Sequence, residues 1–115
     1  MFISHIDSVE KIPLSGETLK NVTKQKAIGP EEGWDSHVMR VFTLSAGGHT
    51  PRHAHPWPHI NYILQGKGIL YHEGEETAIT GGSLAYVPPG TEHQFRNGSE
   101  KDLVFICIVP KEGDT

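Results

Sequence analysis

Four of the eight histidines in this chain, His49, His53, His55 and His59, fall within eleven residues of one another. Imidazole is the commonest metal-ligating side chain, and it coordinates in its neutral form. His53 and His55 lie two positions apart. On an extended strand their rings would leave the same face with Cα atoms about 7 Å apart, able to lean onto one ion at a metal–nitrogen distance of about 2 Å. Pro56-Trp57-Pro58 then imposes a stiff turn, because each proline fixes φ and removes a donor. His59 opens the following segment and can swing back toward the pair. A fourth candidate, His93, stands far along the chain behind Pro88-Pro89-Gly90-Thr91-Glu92. A His-x-His pair by itself often does no more than line a polar strand face. The close trio with one distant histidine is what points to a metal. His5, His37 and His72 have polar neighbours and read as solvent-side residues. His49, in a Gly-rich turn before Pro51, is set aside from the ligand set.

Short β-strands are the elements expected to position these side chains. Gly 13 and Pro 8 act as punctuation along the whole chain rather than as one linker. Between them lie segments rich in β-branched and aromatic residues, at 38–44, 60–64, 69–71, 84–87, 94–96 and 103–109. Short strands with frequent turns between them predict an all-β sandwich or barrel. No interior segment offers a long helical stripe, and a helical turn or two is expected only near Asp7 to Lys11. The first thirty residues are expected to form a strand or irregular segment packed on the barrel or on a dimer partner. In the last segment Phe105, Cys107 and Val109 share one face and Val104, Ile106 and Ile108 the other. Both faces are apolar, so one is expected to line the barrel and the other to be covered by a second copy in a homodimer.

The glycines, prolines and histidines together resemble a known pattern. Gly47, five residues, His53-Ala54-His55, three residues, His59, six residues, Gly66 has the spacing of the first cupin motif. Gly82, five residues, Pro88-Pro89-Gly90, two residues, His93, three residues, Asn97 has that of the second. The two motifs, 47–66 and 82–97, cover about half the chain. The resemblance implies a single-domain cupin-type jelly-roll β-barrel over residues 1–115, usually dimeric, with a metal inside. Where most cupins carry Glu this chain has His59, while the other three ligands map onto His53, His55 and His93. The sequence Arg52-His53-Ala54-His55-Pro56-Trp57 is similar to that of the four-histidine cupins of prokaryotes. That resemblance implies one divalent transition metal per chain (manganese, iron, copper, nickel or zinc) with one or two open coordination positions. Four neutral imidazoles leave the ion's charge uncompensated, which favours anionic ligands and nitrogen-tolerant metals. A closed structural zinc site would normally be built with thiolates.

Other candidates follow from parity. Phe105 and Cys107 are expected to face the interior, with Phe105 as core packing and Cys107 as a small buried hydrophobe. Arg40, within Val38-Met39-Arg40-Val41-Phe42, is either on the wet face or turned inward to anchor an anionic substrate. Trp57 either rims the pocket mouth or staples its turn. Glu73, Glu75 and Glu76 read as a solvated hairpin.

Composition excludes several classes of function. Lys+Arg 10 against Asp+Glu 14 leaves a formal charge of −4, and a nucleic-acid surface would need a basic face. The longest apolar run, Leu103 to Val109, is far below the about 20 residues of a membrane helix. The N-terminus lacks a basic region followed by an apolar core, so no secretory signal is expected. The single cysteine cannot form an internal disulfide and suits a reducing cytoplasm. The function expected is that of a small metalloenzyme oxidising a small, anionic organic substrate with dioxygen or peroxide. The alternatives are a metal-dependent isomerase or lyase and a non-enzymatic metal- or small-molecule-binding module.

Overall fold

Glycine and proline stand at many of the chain's turns, although some, Gly47, Gly48 and Gly68 among them, lie inside strands. The computed structural model describes residues 1–114. Its strands are β1 (Ile12–Leu14), β2 (Lys20–Ile28), β3 (His37–His49), β4 (His59–Gln65), β5 (Lys67–His72), β6 (Glu75–Thr80), β7 (Leu84–Val87), β8 (His93–Arg96) and β9 (Leu103–Pro110). No α-helix occurs among the described residues, and none of their elements is a helix long and apolar enough to cross a membrane. The strands form one curled antiparallel sheet in the order β6-β5-β8-β3-β9-β4-β7, with β2 also on β3 and β1 on β2. This is the expected all-β jelly-roll barrel.

The long strand β3 joins the two halves of the sheet. Residues 37–44 pair with β9 on one side, and β2 lies on the other. At its far end His49 pairs with Arg96 of β8 instead. The bend between the two needs Gly47 and Gly48. Gly47 has φ +76°, and a Cβ on Gly48 would stand 2.8 Å from the carbonyl oxygens of both Asn21 and Ser45. The buried Asn97 holds this corner, its amide donating to the carbonyls of Leu44 and Lys101 at 2.8 Å each. That role accounts for the asparagine that closes the second motif.

Alternation along β9 sorts the residues as expected. Leu103, Phe105, Cys107 and Val109 are buried, and Val104, Ile106 and Ile108 are half-buried on the outside. Leu44, Ile63, Leu103 and Phe105 make the centre of the core, with Val22, Leu70, Ile79 and Phe95 around them. Phe105 stacks between Phe42 and Phe95, with centroids 5.5 Å and 4.3 Å away. Burying each such ring stabilises the fold by about 2–3 kcal/mol. Outside, Ile60, Tyr62, Leu64, Leu84 and Tyr86 remain exposed along β4 and the edge strand β7.

Three strands lie outside the segments expected above: β6, and β1 and β2 within the first thirty residues, the stretch expected to form a strand or irregular segment. β6 buries only Ile79, because it is an edge strand with polar residues facing water. β2 carries three lysines, and register shifts at both of its ends disrupt the alternation that would have marked it. Near the N-terminus the expected helical turn is a single 3-10 turn, Ile6–Ser8. It is tied to β2 by Gln25, whose amide donates to the carbonyls of Ile6 and Val9 at 3.0 Å each. The hairpin at Glu73-Gly74 joins β5 to β6 on the solvated side, as read from the sequence.

Candidate metal centre

The four histidines come from two loop positions and the first residues of two strands. His59 begins β4 and His93 begins β8. His53 is not on a strand, contrary to the reading of His53-Ala54-His55. Proline on both sides of the pair interrupts any ladder, and His53 is held by an isolated bridge to His93, with N–H···O distances of 3.2 Å and 3.0 Å in the two directions. His55 is anchored by the Gly90 N–H, which donates to its carbonyl at 2.8 Å. The distant histidine, like His55, meets all three other rings. The ring of His93 lies 5.0 Å from His53, 5.0 Å from His55 and 4.9 Å from His59, between centroids.

Ring nitrogens of His53, His55 and His93 all lie within 4.8 Å of one another, so these three could hold a metal ion. His59 is not part of that mutually close trio but flanks it from the β4 side, its Nε2 3.1 Å from Nε2 of His93 and its ring 5.2 Å from that of His55. Two nitrogens each about 2.1 Å from one ion, at right angles, stand about 3.0 Å apart. The His59–His93 spacing therefore suits adjacent ligands.

Hydrogen bonds around the cluster fix the tautomers. His55 Nδ1 lies 2.8 Å from the Trp57 carbonyl, His93 Nδ1 2.8 Å from the Thr91 carbonyl, and His59 Nδ1 2.7 Å from Oδ1 of Asn61. The Asn61 amide is oriented by its own Nδ2, which donates to the Ile106 carbonyl at 3.2 Å. Carbonyl oxygens only accept, so in each neutral ring Nδ1 carries the hydrogen and Nε2 keeps its lone pair. Nε2 of His59 and Nε2 of His93 then face each other as two acceptors. A cation between them removes the conflict, and the residues present fit a metal on this ground.

Electrostatics favour the same state. Burial pushes the His59 imidazole down to about 3 and that of His53, nearer the mouth, down to about 4; neighbouring histidines add to both shifts. Burial also lowers His93, against the opposing hydrogen bond to Thr91. All three are neutral, ligand-ready bases at physiological pH.

The rings line a cavity of about 520 Å³ whose apolar side includes Phe42, Phe95 and Phe105. Trp57 lines it too, stacked on His55 at 5.1 Å and 13°. Arg40 turns inward, 9 % exposed, and donates from Nη2 to Sγ of Cys107 at 3.1 Å. Burial pushes the Cys107 thiol up, partly offset by the adjacent Arg40 charge. His49 stays outside the cluster, against Gln94 and Thr50. Asn61 went unrecognised in the sequence. It lies two residues after His59 on the same strand face, so alternation alone could have nominated it. Lys24 and Asp114, near Arg40, carried no such signal.

Comparisons with known proteins agree with this architecture. Residues 40–109 match the family model described as a cupin domain. Among curated proteins, 1-methylthio-D-xylulose 5-phosphate methylsulfurylase from Rhodospirillum rubrum is 32% identical over 76 residues, which cover 66% of this chain and 49% of that protein. The chain thus matches about half the length of that relative. Among solved structures, the polyketide cyclase RemF from Streptomyces resistomycificus superposes with a TM-score of 0.89 at 28% identity, covering 96% of this chain and 79% of that one. A cupin-2 domain protein from Rhodospirillum rubrum gives 0.86 at 25% identity, covering 99% and 77%. With most of β3 through β9 inside the matched region and the same barrel in both structures, the chain belongs to the cupin family.

Proposed function

We propose that this cupin is a metalloenzyme that holds one divalent transition ion on His53, His55, His59 and His93 and oxidises a small organic substrate with dioxygen or peroxide. The observation that carries the metal is the pair of Nε2 lone pairs on His59 and His93, 3.1 Å apart with no proton to share. A bound manganese, iron, copper, nickel or zinc ion would supply Lewis acidity and, where redox-active, electron transfer to the oxidant. The chain's own residues supply the rest. The Trp57 and Thr91 carbonyls and Asn61 keep three rings turned with Nε2 inward. Phe42, Phe95 and Phe105 exclude bulk water from the side of the cavity they line, which protects reactive intermediates and strengthens electrostatics within. Four neutral ligands leave the site's positive charge for an anionic substrate.

A second reading, a metal-dependent isomerase or lyase without redox change, draws support from the relatives. One is described as a polyketide cyclase and another as a methylsulfurylase, and neither name is that of an oxidase. Loading the protein separately with manganese, iron, copper and zinc, then screening diketones, phenols and aromatic alkenes with oxygen or peroxide, separates the readings. Turnover with redox-active ions and none with zinc supports oxidation. Equal turnover with zinc moves the protein to the second class, and no turnover with any ion leaves a binding module.

We also propose a homodimer. Ile60, Tyr62, Leu84 and Tyr86, with Ile106 and Ile108, form a continuous apolar face on β4, β7 and β9, and β7 is a sheet edge. A second copy laid on this face would cover both the patch and the edge.

A further inference from the structure

Three cations stand on the cavity-side face of the β2–β3 pair, Arg40 and Lys24 shielded and Lys26, 45% exposed, at its rim. Lys24 lies opposite Phe42, and Lys26 opposite Arg40. Directly opposed residues of an antiparallel pair share a face, and Phe42 and Arg40 both line the histidine cavity. One carboxylate answers all three. Asp114 Oδ1 lies 3.5 Å from Lys24 Nζ and 3.7 Å from Arg40 Nη1, while Oδ2 lies 3.0 Å from Lys26 Nζ. The side chains of Asp114, Arg40 and Lys24 are only 8%, 11% and 14% exposed. Among the described residues Arg40 and Lys24 thus outnumber Asp114, and their charge in this recess is largely shielded from water.

Arg40 is poorly served in that recess. Its Nη2 donates to the Cys107 thiol, a weak acceptor, and its contact with Asp114 is long. Its Nε is buried with no hydrogen-bond partner among the described residues. A guanidinium is satisfied by an oxyanion that takes two of its N–H groups at once, and neither the thiol nor Asp114 does so. The recess also connects to the metal centre through side chains. Arg40 touches Cys107, Cys107 lies opposite Asn61 across β9 and β4, and Asn61 accepts from His59 at 2.7 Å.

We infer that Arg40 and Lys24 bind the acidic group, a carboxylate or phosphate, of a small organic molecule whose other end lies at the histidines, and that Asp114 is the resident counter-ion this group displaces. The histidine end of the inference rests on the metalloenzyme reading above; the cationic end does not. Displacement exchanges a single long contact at Arg40 for a two-point one. It also leaves Asp114 free to move with the 3-10 turn Lys111–Gly113 that precedes it.

The test is calorimetric titration of chelator-treated protein with malonate and, separately, with inorganic phosphate, so that no ion contributes. Asp114→Ala should bind the preferred anion at least tenfold more tightly than the unaltered protein. Adding Arg40→Gln to Asp114→Ala should remove at least that gain. The anion bound more tightly identifies the acidic group. Binding no tighter in Asp114→Ala, or a double variant as tight as Asp114→Ala alone, overturns the inference. If circular dichroism shows the Arg40 double variant unfolded, Lys24→Met in the Asp114→Ala background replaces it. A severalfold weakening is then expected, and unchanged affinity overturns the assignment. Metal content is read separately by elemental analysis. Protein purified without chelator that carries no metal, together with anion binding through Arg40, overturns the function proposed above and leaves the cationic recess standing.

Discussion

Nε2 of His59 and Nε2 of His93 face each other at 3.1 Å, and neither has a hydrogen to offer the other. Each ring has committed its proton on the far side, His59 to Asn61 and His93 to the Thr91 carbonyl. The two histidines are 34 residues apart in sequence, and folding brings together two lone pairs that only a cation or an added proton can reconcile. Burial disfavours the proton, so the metal is favoured.

Replacing His93 with Ala removes a ring that meets all three others. Bound metal, measured by elemental analysis after purification, should fall below about a tenth of the unaltered level, since loss of even a supporting group costs 10–100-fold in affinity. Metal retained at the original stoichiometry would remove His93 from the ligand set.

Asn61→Leu leaves the His59 ring in place but takes away the acceptor that sets its tautomer. Metal affinity should drop by about 10–100-fold with the fold retained, read by competition with a chromophoric chelator. Asn61→Asp, which keeps the acceptor, should restore binding. Equal loss in both variants would show that the role of Asn61 is packing.

Acid should destabilise the metal-free protein. The folded-state values of about 3 for His59 and about 4 for His53 lie below the unfolded imidazole value of about 6.5. The unfolded chain therefore takes up protons that the folded chain refuses, so stability present above pH 6.5 is lost as pH falls from there toward 4. Thermal melting of chelator-treated protein should show a midpoint several degrees lower at pH 4.5 than at pH 7. His59→Gln should flatten that dependence, and an unchanged slope would contradict the assignment.

Phe105→Ala opens the aromatic stack between Phe42 and Phe95 and should cost about 3–5 kcal/mol in chemical denaturation. A loss below about 1 kcal/mol would mean the neighbouring rings collapse into the space.

On the outer face, Ile60→Lys places a charge in the middle of the apolar patch. The unaltered protein should sediment at twice 12.7 kDa and the variant at 12.7 kDa, with metal content equal in both. An unaltered chain that is already monomeric at micromolar concentration rules out the dimer.

Most of the barrel was readable because its signals are local. Turn residues bounded β4, β5, β7, β8 and β9, and period-two alternation assigned the inner and outer faces of β9 correctly. β6 and β2 escaped for a physical reason. An edge strand that buries one residue, and a lysine-bearing strand whose alternation is broken by register shifts, owe their extended form to pairing partners remote in sequence. Their own side chains carry little of that information.

The ligand candidates were likewise a property of the sequence, since residue types and spacing nominate His53, His55, His59 and His93 together. What only the tertiary structure decided is how they meet. His93 and His55 each meet the other three rings, and the distant His93 is brought there by its backbone bridge to His53. The orientation of Arg40 was open in the sequence. A charged residue in a strand goes inward only when partners wait for it, and those partners, Asp114 and Cys107, stand 74 and 67 positions away. Sequence spacing records which groups are available, whereas tautomers, facing lone pairs and shared counter-ions depend on distances that exist only once remote strands pair.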